Sequence, residues 1–316
     1  MRTVFFGTPD WAVPTLRSLA ASPHTPTLVV TQPPKRRGRG GAVTPSPVAR
    51  EAVRLGLRVH EAEAVRTDAF AELLAAEDPD LFVVVAFGRI LPQRLLDLPR
   101  LAPVNVHFSL LPRWRGAAPV QWALAEGDEK TGVSTMRMVL QLDAGPVYLA
   151  QSLPIEPGEH APALGARLAE AGARALMATV EGLAGGTLEP RPQQEEGATI
   201  ARMLRPEDGW IDWNLRAGRI ACRVRGFDPW PGQSTRAAKG PIRVLEAREA
   251  GYPAAKSPGA PAPGTVLGAS GAALHVACVE GTVLEILKVQ PEARRPMSGA
   301  EALRGRHVAA GERLAQ

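Results

Sequence analysis

Only two cysteines, Cys222 and Cys278, occur in the 316 residues. Two cannot build a disulfide framework, and their separation matches no metal-ligand spacing. A bond between them is open in principle, but a reduced chain is the expectation. No apolar run is long enough to span a bilayer as a helix. The opening run Met1-Arg2-Thr3-Val4-Phe5-Phe6-Gly7 lacks the longer apolar region and the cleavage site of a signal peptide. It reads as a short strand ending in a turn, and a cytoplasmic location is expected. The turn holds neither Gly-x-Gly-x-x-Gly nor Gly-Lys followed by Ser or Thr, which counts against a dinucleotide-dependent dehydrogenase and a P-loop enzyme. The six histidines show no ligand spacing, so no metal is expected.

What is present supports two domains. The length fits that number, and 45% hydrophobic residues can form a substantial core. Positions 1–206 hold 22 basic and 21 acidic residues, leaving 37 − 22 = 15 and 32 − 21 = 11 for positions 207–316. The surplus of positive charge therefore sits in the second part. It suits a polyanion such as RNA, and it equally suits a solvated surface with extra arginines.

The first part alternates strand and helix signals. Val4-Phe5-Phe6, Thr27-Leu28-Val29-Val30, Leu81-Phe82-Val83-Val84-Val85 and residues 104–108 are short apolar runs. The third is nearly continuous, as a strand covered on both faces should be. Thr8 reads as a helix cap with Pro9 at the first helical position. Residues 47–55 read as a helix closed by Gly56, and residues 163–181 as another. Together they predict an α/β fold: a Rossmann-like, mostly parallel open sheet with helices on its faces, spanning residues 1–189. Residues 190–206 follow as a linker, because the stretch 185–197 is polar and rich in Gly and Pro. Residues 207–316 hold short β-like runs near 242–245, 265–267, 274–279 and 282–289, which predict a small β-barrel. Residues 252–264 are Ala, Pro and Gly rich and read as a surface loop. Nothing in the chain demands a dimer, so a monomer is expected.

One segment carries chemistry: Asn105-Val106-His107-Phe108-Ser109-Leu110-Leu111-Pro112. Residues two apart on a strand face the same side, so Asn105 and His107 share a pocket and Phe108 points away into packing. In an open parallel sheet, ligands sit beyond the carboxyl ends of strands. An amide and an imidazole side by side can stabilise a developing oxyanion and move a proton, as group transfer at a carbonyl requires. Taken alone, Asn105 could equally close a turn and His107 fill a core. Asp143, in Leu142-Asp143-Ala144-Gly145, could be an ordinary turn residue, or a carboxylate that orients and stabilises a protonated His107. Phe87-Gly88-Arg89-Ile90-Leu91 ends the most apolar strand. Gly88 allows close backbone approach there, and Ile90 and Leu91 could flank a flat ring. Residues 33–41 hold Lys35, Arg36, Arg37 and Arg39 with three glycines and no acid, an electropositive loop that suits phosphate contacts. Trp230, between Pro229 and Pro231, could stack on RNA, but the two prolines favour reading it as a buried hinge.

The run from Asn105 to Pro112 resembles the signature of the folate-dependent formyltransferases. Arg113-Trp114-Arg115-Gly116-Ala117-Ala118-Pro119-Val120-Gln121 narrows the likeness to the branch acting on methionyl-tRNA. Phe6-Gly7-Thr8-Pro9-Asp10, Thr31-Gln32-Pro33, Phe87-Gly88-Arg89-Ile90-Leu91-Pro92, Leu142-Asp143-Ala144-Gly145 and Phe227-Asp228-Pro229-Trp230-Pro231 agree with it along nearly the whole chain. The resemblance implies an oligonucleotide-binding-type barrel in the second domain. It also implies transfer of the formyl group of 10-formyltetrahydrofolate to the amino group of initiator methionyl-tRNA, without a metal. Asn105 and His107 would then stabilise the oxyanion. His107 and a water held by Asp143 would relay the proton. Residues 87–91 and Ser109, Leu110, Leu111 and Pro112 would line the folate pocket. Lys35, Arg36, Arg37 and Arg39 would engage the acceptor arm, although Gly41-Ala42-Val43 stands where relatives often continue with lysines. The alternative is a formyltransferase acting on a sugar amine, or a formyltetrahydrofolate hydrolase. Its catalytic residues would look the same, and the basic loop and basic second domain argue against it.

Overall fold

A computed structural model of the chain describes residues 1–36, 41, 43–251 and 261–315. They form two compact units. The first comprises Met1–Pro119, Lys130–Pro154 and Gly165–Arg202, and the second comprises Val120–Glu129, Ile155–Leu164 and Met203–Gln316.

In the first unit the elements are β1 (Thr3–Gly7), α1 (Val13–Ala20), β2 (Pro26–Thr31), the short hairpin β3 (Lys35–Arg36) and β4 (Val43–Thr44), α2 (Pro47–Arg54), β5 (Val59–Glu61), α3 (Asp68–Ala76), β6 (Leu81–Val85), α4 (Gln93–Leu96), β7 (Ala102–His107) and β8 (Arg115–Gly116). Strands β9 (Lys130–Arg137) and β10 (Val147–Pro154) follow, then the long helix α6 (Ala161–Ala184) and β11 (Ile200–Ala201); helix α5 (Pro119–Ala125), between β8 and β9 in the chain, falls in the second unit from Val120 on. Seven strands form one sheet in the order β10-β9-β7-β6-β1-β2-β5. The five from β7 to β5 are parallel, while at one edge β9 runs antiparallel to both of its neighbours, β7 and β10. The mostly parallel open sheet expected from the sequence is thus present. Every residue of β6 is buried, as its unbroken apolar run predicts. One face of the sheet packs Val4, Phe6, Phe82 and Val84 against Phe70 and Leu74 of α3 and Leu95 and Leu96 of α4. On the other face, Gly172 of α6 lies so close to Val106 that a Cβ there would stand 2.8 Å from its side chain.

Local capping follows the sequence at α2. Ser46 accepts from the Ala49 amide at 2.9 Å, Pro47 begins the helix, and Gly56 leaves it with φ 72°. It fails at Thr8, whose hydroxyl donates to the Phe87 carbonyl at 3.0 Å and caps nothing. A carbonyl near the end of β6 competed successfully for the same hydroxyl. The α2 carboxylate Glu51 is gripped by Arg54 and Arg17, which lower its pKa to about 2.

The second unit is built on α7 (Ala217–Gly226), β12 (Gln233–Ala237), β13 (Gly240–Glu249), β14 (Val266–Ser270), β15 (Ala273–Ala277), β16 (Val283–Pro291), β17 (Met297–Ser298) and α8 (Gly299–Arg304). The sheet is antiparallel in the order β12-β13-β16-β15-β14, with β17 beside β16. Its two edges are bridged by the chain end, where Ala315 pairs with Arg236 and Arg313 with Thr265. Ile220 and Val224 of α7 lie in its core with Val244, Val276 and Ile286. Two earlier segments belong to this unit. Trp122 of α5 meets Phe227 edge-on at 5.4 Å, and His160 Nδ1 lies 3.0 Å from Asp228 Oδ2. Phe227 takes the interior position. Trp230 is 54% exposed, so the buried hinge expected there is not formed. Cys222 and Cys278 are both free, and burial pushes the Cys278 thiol up to about 12.

Candidate active site

Strand β7 delivers Asn105 and His107 to one face of the sheet. In register, Asn105 lies beside Val84 of β6 and Met136 of β9, both buried. Its half-buried side chain has no hydrogen-bond partner among the described residues. Phe108, on the opposite face, packs edge-on against Trp11 at 6.1 Å, as alternation along the strand requires.

His107 is buried and held at one ring nitrogen. Nε2 lies 2.8 Å from the Trp114 carbonyl. A carbonyl only accepts, so Nε2 carries a proton and donates it. Nδ1 therefore holds the lone pair in the neutral ring. It faces Asp143 Oδ2 at 3.7 Å, too long for a hydrogen bond and close enough for an ion pair once Nδ1 gains a proton. The same Oδ2 accepts from the Gly116 amide at 2.8 Å. Asp143 sits in the left-handed region with φ 50°, and Trp114 with φ 63°. Non-glycine residues held there cost about 1–3 kcal/mol each and cluster at functional sites. The fold thus brings the three expected residues together. The sequence did not reveal that a main-chain carbonyl and a main-chain amide, from Trp114 and Gly116, set the imidazole and the carboxylate. With Nε2 engaged by the Trp114 carbonyl, Nδ1 is the ring nitrogen left to meet a further group.

The turn after β7 is tightly tied. Ser109 is fully buried, its hydroxyl donating to Arg113 O at 2.6 Å. The Ser134 hydroxyl donates to Ser109 O at 2.8 Å and accepts from the Leu111 amide at 3.1 Å. The Ser109 hydroxyl thus serves the turn, and Leu110, Leu111 and Pro112 beside it are half-buried. The Leu111-Pro112 peptide is cis.

Beyond β6 the chain turns through Ala86 and Gly88, with φ 46° and 77°. Phe87 and Leu91 are buried with the sheet core, and Phe87 meets Phe6 edge-on at 5.4 Å. Leu91 thus packs into the core, whereas Ile90 is 63% exposed. Arg89 is half-buried, and its Nε has no hydrogen-bond partner among the described residues. The Phe87 carbonyl takes two donors, Thr8 Oγ1 at 3.0 Å and Gln32 Nε2 at 2.8 Å, which anchors this loop to the ends of β1 and β2. Of the basic loop, Lys35 and Arg36 form β3, while Arg37 and Arg39 lie outside the described residues. Among the described residues no three His, Cys, Asp or Glu side chains are grouped to hold a metal, and no helix is long and apolar enough to cross a membrane.

The class of protein follows from comparison with known proteins. Residues 1–180 match the family described as formyl transferase, and residues 203–307 the family described as formyl transferase, C-terminal domain. The chain belongs to the formyl transferases and, within them, to the methionyl-tRNA formyltransferase family. It is 42% identical to the methionyl-tRNA formyltransferase of Solibacter usitatus, covering 100% of this chain and 99% of that one. It is 43% identical to that of Halorhodospira halophila, covering 98% of each. Among solved structures, an N-formyltransferase from Helicobacter canadensis in complex with folinic acid and dTDP-3-aminofucose shares the fold at TM-score 0.66 and 15% identity, over 90% of this chain and 98% of that one. HypX from Aquifex aeolicus in complex with tetrahydrofolic acid does so at TM-score 0.59 and 19% identity, over 98% of this chain but 48% of HypX.

Proposed function

We propose that the chain transfers the formyl group of 10-formyltetrahydrofolate to the amino group of initiator methionyl-tRNA, giving N-formylmethionyl-tRNA. The observation that carries the reading is the Asn105 amide, without a hydrogen-bond partner among the described residues and on one face with an imidazole whose Nδ1 faces Asp143, in a chain alike over its full length to enzymes of that name. The formyl donor fits what the unit offers. Exposed Ile90 beside Gly88, and exposed Leu140 and Leu142 on the loop bearing Asp143, present apolar surface for a flat ring. Leu110, Leu111 and Pro112 are half-buried and add to it.

The reaction joins the acceptor nitrogen to the formyl carbon and breaks the bond from that carbon to the donor nitrogen. As the amine adds, electrons move onto the formyl oxygen, and the Asn105 amide donates to it. The new C–N bond makes the nitrogen acidic. His107 Nδ1 takes its proton, and the Asp143 carboxylate balances the imidazolium. The same proton then passes to the departing donor nitrogen, so the histidine ends as it began. One donor to the oxyanion contributes about 3 kcal/mol, roughly a hundredfold in rate.

Lys35, Arg36, Arg37 and Arg39 are assigned to phosphates of the tRNA acceptor arm, and the basic second domain to the rest of the RNA. A monomer suffices for all of this. The test offers a formyl-labelled donor together with methionyl-tRNA, free methionine, a sugar amine or water. Label moving to charged initiator tRNA alone is the expected result. Label moving to the sugar amine or to water with equal speed would overturn it.

A further inference from the structure

Residues 193–201, read from the sequence as part of a linker, touch the site at four points. The Gln193 amide nitrogen donates to the carbonyls of Asp143 at 2.8 Å and Gly145 at 2.7 Å, spending both its hydrogens. Its Oε1 accepts from Arg115 Nε at 3.0 Å. A guanidinium only donates, so Oε1 must face Arg115 and Nε2 must face the two carbonyls. The amide has one orientation. Arg115 is in turn fixed, its side chain 5% exposed, with both remaining nitrogens on Glu195 at 3.1 and 3.0 Å. The guanidinium holds the Glu195 carboxyl below its usual range. From the other side, β11 pairs with β8 in parallel. Thr199 Oγ1 accepts from the Trp114 amide at 2.9 Å, Thr199 O from the Arg115 amide at 2.9 Å, and Ala201 O from the Ala117 amide at 2.8 Å. Trp114 supplies the carbonyl on His107 Nε2, and Gly116 the amide on Asp143 Oδ2.

We propose that Gln193, locked by Arg115, is a positioning residue for Asp143, and that residues 193–201 form a clasp fixing the distance between Asp143 and His107. The inference rests on the role given to Asp143 above. Asp143 needs such a device, because its left-handed backbone is intrinsically unfavourable. Two hydrogen bonds to the carbonyls of Asp143 and Gly145 hold that turn without touching the carboxylate. They leave Oδ2 to the Gly116 amide and to His107.

The experiment is a double-mutant cycle on turnover with methionyl-tRNA, using Gln193→Ala, Asp143→Asn and the pair, with KM for donor and acceptor and the melting temperature measured in parallel. Gln193→Ala is expected to lower kcat about tenfold with both KM values within twofold. The pair is expected to be no slower than Asp143→Asn alone, because Gln193 acts through that carboxylate. Losses that multiply, or a Gln193→Ala enzyme with kcat within twofold of wild type, would overturn the clasp. Should the alanine variant fail to fold, Gln193→Glu takes its place. It keeps the size and the contact to Arg115 but can donate to neither carbonyl, and the same tenfold loss is expected. If Asp143→Asn keeps full turnover, the catalytic reading itself falls and the clasp with it. If Asp143→Asn is crippled and neither Gln193 variant is slowed, the clasp alone falls.

Discussion

Asp143 Oδ2 lies 3.7 Å from His107 Nδ1 while accepting a 2.8 Å hydrogen bond from the Gly116 amide. One oxygen therefore serves a permanent donor and an imidazole that becomes a donor only when it takes a second proton. Asp143→Asn keeps an acceptor for Gly116 and removes the charge that balances the imidazolium. Its kcat should fall about tenfold to a hundredfold with donor KM unchanged, read in steady-state formylation. A raised donor KM with normal kcat would place Asp143 in binding instead.

Gly116 has φ 119°, and a Cβ there would stand 2.6 Å from the Ala201 carbonyl oxygen. Gly116→Ala must shift backbone against backbone and spoil the amide that meets Asp143. Stability should drop by about 1–3 kcal/mol in urea denaturation, with activity reduced more than tenfold in the fraction that remains folded.

Replacing Arg36, Arg37 and Arg39 together by alanine should raise KM for methionyl-tRNA and leave kcat at saturation close to wild type. The slope of log affinity against log salt should shrink by about one for each phosphate no longer neutralised. A measured slope equal to wild type would remove the loop from the RNA interface.

Glu51 pairs with Arg54 of its own helix and ties α2 to α1 through Arg17, and these two contacts lower its pKa from 4.5 to about 2. A depressed carboxylate stabilises the folded state above its unfolded pKa and loses that contribution as pH falls through the folded value. Glu51→Gln should therefore cost about 1 kcal/mol at pH 7. The gap in urea midpoints should close between pH 4.5 and 2. A gap that stays constant with pH would show that packing, not charge, is responsible.

The centre of the sheet was legible because β1, β2 and β6 are nearly pure apolar runs, whereas β5, β9 and β10 at its edges are not. Val83 has no exposed face to encode, so β6 reads as buried from composition alone. Asn105 and His107 were legible because polar residues two apart interrupt such a run on one side only. Thr8 misled because a hydroxyl before a proline suits a helix cap, while the Phe87 carbonyl that captured it is 79 residues distant. Leu91 misled in the other direction, since an apolar residue after a strand can face a ligand or the core. Gln193 and Thr199 could not be read at all. Their partners are main-chain atoms of Asp143, Gly145 and Trp114, and a Gly- and Pro-rich stretch carries no periodicity to show which side chains turn inward.

The most direct measurement is the single-turnover rate of formyl transfer from labelled donor to methionyl-tRNA in Asn105→Ala and His107→Ala, with donor affinity determined separately. Each variant should bind the donor as wild type does and transfer roughly a hundredfold more slowly. Transfer at near wild-type rate in either would contradict the site proposed on β7.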